Sequence, residues 1–196
     1  GQVNDFERVA SSLLRVHESL DSLQLAPDAV VRQIVPLKGN EKAIGHDLLG
    51  DAARSTEVRQ AIETQKLTLA GPFELVQGGY AIVGRLPVFL DDPNASDSQR
   101  FWGLTIGLIK VDKLIHTSAL ERLPANGYHY ELWREHPDSH EREIFARSSS
   151  SALIQPHDFG FNIPNGHWIL SIAPRSGWVS TPVLVGKVVA AAAVSV

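Results

Sequence analysis

The chain has 196 residues, with 18 Lys+Arg against 22 Asp+Glu, a formal net charge of -4 and an isoelectric point near 6.1. Hydrophobic residues make up 43% and charged residues 20%, which excludes a wholly disordered chain, and a weakly acidic protein without a basic cluster makes a poor nucleic-acid binder. The absence of cysteine excludes disulfides, thiol catalysis, zinc–cysteine sites and iron–sulfur clusters.

In chain order, Phe6, Val9, Leu13, Val16, Leu20 and Leu23 recur at alternating spacings of three and four, an a/d seam on one helix face. The spacing predicts a helix that Pro27 closes near residue 25. Either it packs on its own domain or it pairs with a second chain as a stalk. The β-branched run 30–37 predicts a short strand ended by Lys38-Gly39-Asn40. Asn40 suits the cap of a helix over 41–49 that ends at Gly50, and Ser55 or Thr56 the cap of a second helix through Gln65.

Three strands are then expected. The first spans 67–76 with a bend at Gly71-Pro72, a turn follows at Gln77-Gly78-Gly79, and the second spans 80–90. After a polar loop the third spans 101–111. On it Trp102, Leu104, Ile106 and Leu108 alternate with Gly103, Thr105 and Gly107, so one face is bulky and the other nearly bare. A bare face must be filled by a close-packed element or by a ligand. A helix over 111–123 with Asp112 as its cap follows, then strands over 128–134 and 143–147. A hairpin over 159–164 and 167–174 turns at Asn165-Gly166. Hairpins preceded by clustered helices make the fold class α+β with two lobes.

Motifs for chemistry are scarce. There is no Gly-x-Ser-x-Gly elbow, P-loop, dinucleotide glycine fingerprint or His-Glu-x-x-His. The loop from His136 to Glu141 reads as solvated, and Asp92-x-Asn94-x-Ser96 lacks the Gly and Glu a calcium loop requires. Asn94-Ala95-Ser96 is a formal glycosylation sequon. No catalytic residue, metal ligand or cofactor is assigned, and no nucleic-acid partner is expected. Arg85 is different: it shares a strand face with Ala81, Val83, Pro87 and Phe89 and therefore needs an anion, either protein (Asp47 is the obvious candidate) or a ligand carboxylate or phosphate.

Several blocks resemble the CHASE family: Val31-Arg32-Gln33-Ile34-Val35-Pro36-Leu37-Lys38-Gly39-Asn40-Glu41, Ile44-Gly45-His46-Asp47-Leu48-Leu49, 69–79, Arg85-Leu86-Pro87-Val88-Phe89, Phe101-Trp102-Gly103, 164–168 and 174–178. Together they cover about residues 25 to 178. The resemblance implies an extracytoplasmic sensor domain between two membrane helices, feeding a cytoplasmic histidine kinase, nucleotide cyclase or cyclic-di-GMP enzyme such as a diguanylate cyclase. It implies a stalk helix and two PAS-like lobes with small ligands in the membrane-distal one. In the plant cytokinin receptors of that family an Asp bonds the ligand, and Asp47 looks like the matching position. A small apolar pocket residue there resembles Leu75 or Val76. Those receptors carry a small hydroxyl residue where this chain has Arg85, a departure that favours an anionic ligand over an adenine-type one.

The reading is therefore a stalk helix over 1–26, a distal PAS-like lobe over 27–115, a proximal lobe over 116–182 and a segment 183–196 leading toward a membrane helix. The expected ligand contacts are Asp47, Phe73, Leu75, Val76, Arg85, Gly103 and Thr105, with a homodimer through the seam of the first helix. With Gly1 at its start and no methionine the chain reads as part of a longer, membrane-anchored protein, periplasmic or extracellular over this stretch. The alternative is a dimerisation or partner-protein-sensing module with no small-molecule ligand.

Overall fold

The computed structural model describes residues 5–74, 80–93 and 99–178. The expected turn at 77–79, the Asn94 sequon and the segment 183–196 lie outside the described residues. The architecture is α+β, built on two antiparallel sheets. Helix α1 (Phe6–Val16) leads to β1 (Ser22–Pro27) and β2 (Gln33–Val35). After a 3-10 turn over Glu41–Ala43 come α2 (Ser55–Thr64), β3 (Thr68–Glu74), β4 (Tyr80–Asp91) and β5 (Gln99–Lys110). Two short helices, α3 (Val111–Thr117) and α4 (Arg122–Ala125), connect to β6 (Tyr128–Glu135), β7 (Arg142–Arg147), β8 (His157–Ile163) and β9 (Gly166–Pro174). The larger sheet has the order β2-β1-β5-β4-β3, the smaller β7-β6-β9-β8.

The long N-terminal helix is corrected. It stops at Val16, where His17 leaves helical geometry and its N–H caps Leu13 O. Leu20 and Leu23 do not continue the seam. Asp21 N–H bonds Leu108 O, and Ser22 enters the sheet opposite Leu108. The bare face of β5 gives the reason: a Cβ on Gly107 would lie 3.4 Å from Leu20 Cδ2 and 3.7 Å from Leu23 Cδ2. These leucines fill the space the glycine leaves, and apolar burial on a sheet outweighs continuing a helix whose next turn would face water. The first predicted strand is shorter than its β-branched run. The expected helix over 41–49 is a single 3-10 turn, because Gly45 takes a positive φ and 29–31 capture 45–48 by backbone hydrogen bonds. The expected helix over 111–123 is two helices, broken where Ala119 adopts φ 60°.

Two cores position everything else. One face of the larger sheet, with Ala26, Leu104 and Ile106, packs against Ala29, Val31, Leu48 and Val58 of the 28–64 segment. A second core joins Ile82 and Val111 to Leu132, Phe145 and Trp168 of the smaller sheet. Alternation along β4 explains the division: Ile82 points one way, Val83 and Arg85 the other. Hairpin β8–β9 turns where expected, and Asn165 at its tip bonds the other sheet: its Oδ1 accepts from Leu69 N–H at 2.7 Å and its Nδ2 donates to Leu69 O at 3.0 Å.

Candidate functional site

On the first face of the larger sheet lies a cavity of about 270 Å³. Its floor is Gln24 of β1, Ile106 and Leu108 of β5, and Val83 and Arg85 of β4. The segment from Gly39 to Leu48 covers it, with Lys42, Ala43 and His46 among the lining residues, and Arg54 and Phe73 close one side. Backbone hydrogen bonds hold the cover: Val31 N to His46 O at 3.0 Å, Gly45 N to Val31 O at 2.8 Å and Leu48 N to Ala29 O at 3.0 Å.

The floor has an ordered polarity. Gln24 and Arg85 both stand opposite Ile106, one in each neighbouring strand. Adjacent strands are ~4.8 Å apart, so the two polar residues sit roughly 10 Å from each other across an isoleucine. Arg85 is 1% exposed. Its NH1 donates to Arg54 O at 3.2 Å, but its Nε has no partner. Among the described residues no carboxylate forms an ion pair with it. Burial pulls its pKa down to about 10, opposed by the charge of Glu57 and reinforced by that of Arg54, so the guanidinium stays charged at neutral pH. Gln24 is 7% exposed, and its side-chain amide hydrogen-bonds no described residue.

Beside Arg85 a second cation is compensated. Arg54 NH1 lies 2.6 Å from Asp51 Oδ2, and His46 Nε2 lies 2.9 Å from the same oxygen. Asp51 Oδ1 also accepts the Ala53 N–H at 3.0 Å. Burial pushes the Asp51 carboxyl upward, but Arg54, His46 and that backbone N–H together hold it below the usual aspartate value. The Phe73 ring has the Arg54 guanidinium 4.7 Å from its centroid and that of Arg85 at 5.5 Å, so its π-face stabilises two cations that repel each other. Gly71 makes this placement feasible: at φ +94° a Cβ would lie 2.8 Å from Ala81 O, and the kinked strand carries Phe73 to the cavity's edge.

Of the expected contacts, the structure brings Phe73 and Arg85 together at the cavity. Asp47 is elsewhere. It is exposed, and its Oδ1 accepts the N–H groups of Leu49 and Gly50, each at 3.0 Å, so it shapes its own turn and does not reach Arg85. Gly103 and Thr105 are on the opposite face of β5. Gly103 is bare because its partner in β1, Pro27, approaches it closely: a Cβ there would lie 2.6 Å from Pro27 Cα. Thr105 Oγ1 donates to Leu86 O at 3.4 Å. Leu75 and Val76 lie outside the described residues. Sequence reasoning missed Gln24, His46 and Arg54. Gln24 sat inside the supposed heptad, although Ser22, Gln24 and Ala26 alternate with Leu23 and Leu25 as a strand does. The i,i+3 pair Asp51 and Arg54 just before α2 was a readable signal. Among the described residues no cluster of His, Asp and Glu could hold a metal ion, and no helix is long and apolar enough to cross a membrane.

The CHASE domain family matches residues 2–145, and the resemblance seen beyond that point, at 164–168 and 174–178, lies outside the match. The comparison with curated proteins returns no match. Among solved structures, an extracellular ligand binding receptor from Desulfohalobium retbaense DSM5692 superposes with a TM-score of 0.60 at 15% identity, over 85% of this chain and 32% of that one. A methyl-accepting chemotaxis protein X superposes with a TM-score of 0.50 at 13% identity, over 86% of this chain and 80% of the other. This chain thus spans about a third of that receptor, and at such identities the likeness is one of fold. The family match covers well over half the chain, so the protein belongs to the CHASE family of extracellular sensor domains.

Proposed function

We propose that the chain senses a small molecule bound in the cavity over Ile106 and passes its occupancy, through a membrane, to a cytoplasmic kinase or cyclic-nucleotide enzyme. The larger sheet with α2 is the distal, PAS-like lobe, and the smaller sheet is the proximal lobe beside the membrane. The observation that carries this reading is the cavity itself, lined by the buried Arg85, whose Nε lacks a partner. Buried polar groups are normally satisfied, and an exception calls for something that arrives from outside the chain.

Helix α2 supports a route between the lobes. Arg54, at its N-terminal end, lines the cavity. From the same helix Thr56 Oγ1 donates to Asp138 Oδ1 at 3.0 Å, Glu57 Oε1 lies 3.4 Å from Arg134 NH2, and Gln60 Oε1 accepts from Asn165 Nδ2 at 3.3 Å. All three partners belong to the smaller sheet and its loops. A ligand that favours one position of α2 changes the balance between lobe arrangements by its differential affinity, and only that difference can signal. The homodimer forms through α1, whose Val9, Leu13 and Val16 are 44%, 43% and 75% exposed along one seam.

The test is a thermal-shift panel of small acids, amines and neutral amides on the wild-type chain and on Ala43→Trp, which plugs the cavity from its cover. The reading predicts that some members raise the wild-type Tm and that the plugged variant, still folded, loses the response. A panel that shifts neither protein would remove the small-molecule reading in favour of a partner-sensing module.

A further inference from the structure

We propose that the cavity takes a small carboxylate with an apolar body, its head on Arg85, its hydrocarbon over Ile106 and its far end within reach of the Gln24 amide. This rests on reading the cavity as a ligand site and names the chemistry of what it holds.

The charge comes first. Arg54 is matched by Asp51, while Glu41 has a hydrogen bond from Gly39 N–H at 2.9 Å and, like Lys42, is exposed to water. Among the described residues, Arg85 alone is a fully buried cation whose Nε has no acceptor. An unpaired buried charge is strongly unfavourable, and a planar guanidinium is best matched by a planar carboxylate. With Arg54 already neutralised, one negative charge completes the balance, which favours a monoanion over a doubly charged phosphate. The other charges around this point do not change the sign: Glu74 lines the cavity but is exposed to water, Glu57 is committed to Arg134, and Asp51 to Arg54 and His46.

Shape comes second. Between Arg85 and Gln24 the floor is Ile106, flanked by Val83 and Leu108, and Val31 and Leu48 also line the space. A body lying on that floor rests on apolar side chains, which favours hydrocarbon, aliphatic or aromatic. Gln24 offers both a donor and an acceptor, and so tolerates a carbonyl, hydroxyl or amino group at the far end. A volume of about 270 Å³ limits the ligand to a small metabolite.

The experiment is calorimetric titration of the chain with hexanoate, benzoate and phenylacetate, each beside its primary amide, with hexylamine and phenyl phosphate as controls. At least one carboxylate is expected to bind, with its amide at least tenfold weaker and hexylamine silent. Arg85→Met is expected to leave the Tm of the free chain unchanged or higher, because it removes an unpaired charge, while weakening the carboxylate at least tenfold. Gln24→Leu is expected to retain these singly functional acids, since they use only the Arg85 end. Equal binding of acid and amide, or unchanged carboxylate affinity in Arg85→Met, would overturn the proposal, as would phenyl phosphate binding tenfold tighter than every carboxylate. Should Arg85→Met not fold, the acid–amide comparison on the wild type decides. If an amine or a neutral compound binds in the cavity and no acid does, the ligand class is wrong while the sensor reading stands. If nothing binds, both fall.

Discussion

Arg85 and Asp51 show two treatments of charge within one cavity. Asp51 is held below the usual aspartate value because Arg54, His46 and the Ala53 N–H outweigh the opposing effect of burial. Its folded pKa is depressed, so its contribution is fully present above the ordinary value of 3.8 and is lost as pH falls through the lower folded value. Asp51→Asn should therefore flatten the acid limb of a Tm-versus-pH curve, and an unaltered limb would show that the cluster contributes nothing. Gly103 carries a different prediction. Alanine in a strand is ordinarily better than glycine by ~0.5–1 kcal/mol. Here the added carbon meets the backbone of β1, so Gly103→Ala should destabilise by about 1–3 kcal/mol in urea denaturation, without weakening ligand binding. A loss of affinity with unchanged stability would return Gly103 to the ligand site. Alternation along 101–108 was legible, and so was the need to fill the bare face. What fills it was not, because Leu20 and Leu23 satisfied a helical period and a packing role at once.

At the scale of elements, α2 is the piece whose contacts cross between lobes. Its helix was legible from Ser55 to Gln65. Glu57, at 4% exposure, was not, because its partner Arg134 lies far along the chain and period alone assigns a glutamate to water. Arg134 itself is shared with Glu143 at 2.7 Å. Breaking such a buried pair on one side leaves an uncompensated charge, so Glu57→Ala should cost ~3–5 kcal/mol, and Glu57→Gln clearly less. A loss below 1 kcal/mol for Glu57→Ala in chemical denaturation would show that the tie carries little. The Asn165-Gly166 turn was legible as a turn from its dipeptide, but the docking of Asn165 onto Leu69 was not, since nothing local encodes a partner 96 residues away. The strands of hairpins were readable within one or two residues. Elements that depend on distant capture were overcalled as helices, the 41–49 segment and residues 17–25 above all.

Across the whole molecule the α+β class and the two-sheet division were readable, because hairpin patterns cluster on either side of residues 111–125. The exposed stripe of Val9, Leu13 and Val16 predicts self-association. Leu13→Glu should convert a dimer to a monomer in sedimentation equilibrium without loss of fold, and a wild-type chain that stays monomeric at high micromolar concentration would contradict the pairing. The cavity was anticipated on the wrong face of β5: the bulky face, not the bare one, carries the open space, because the cover segment meets the sheet around it and not on it. Arg85 was anticipated on the correct strand face, and its lack of a carboxylate partner links the residue to the behaviour of the whole domain. The most direct measurement is a crystal structure of the chain grown with benzoate. The account predicts density for the ligand over Ile106 with its carboxylate on Arg85 Nε; a space closed by the chain's own side chains, with a protein carboxylate on Arg85, would contradict it.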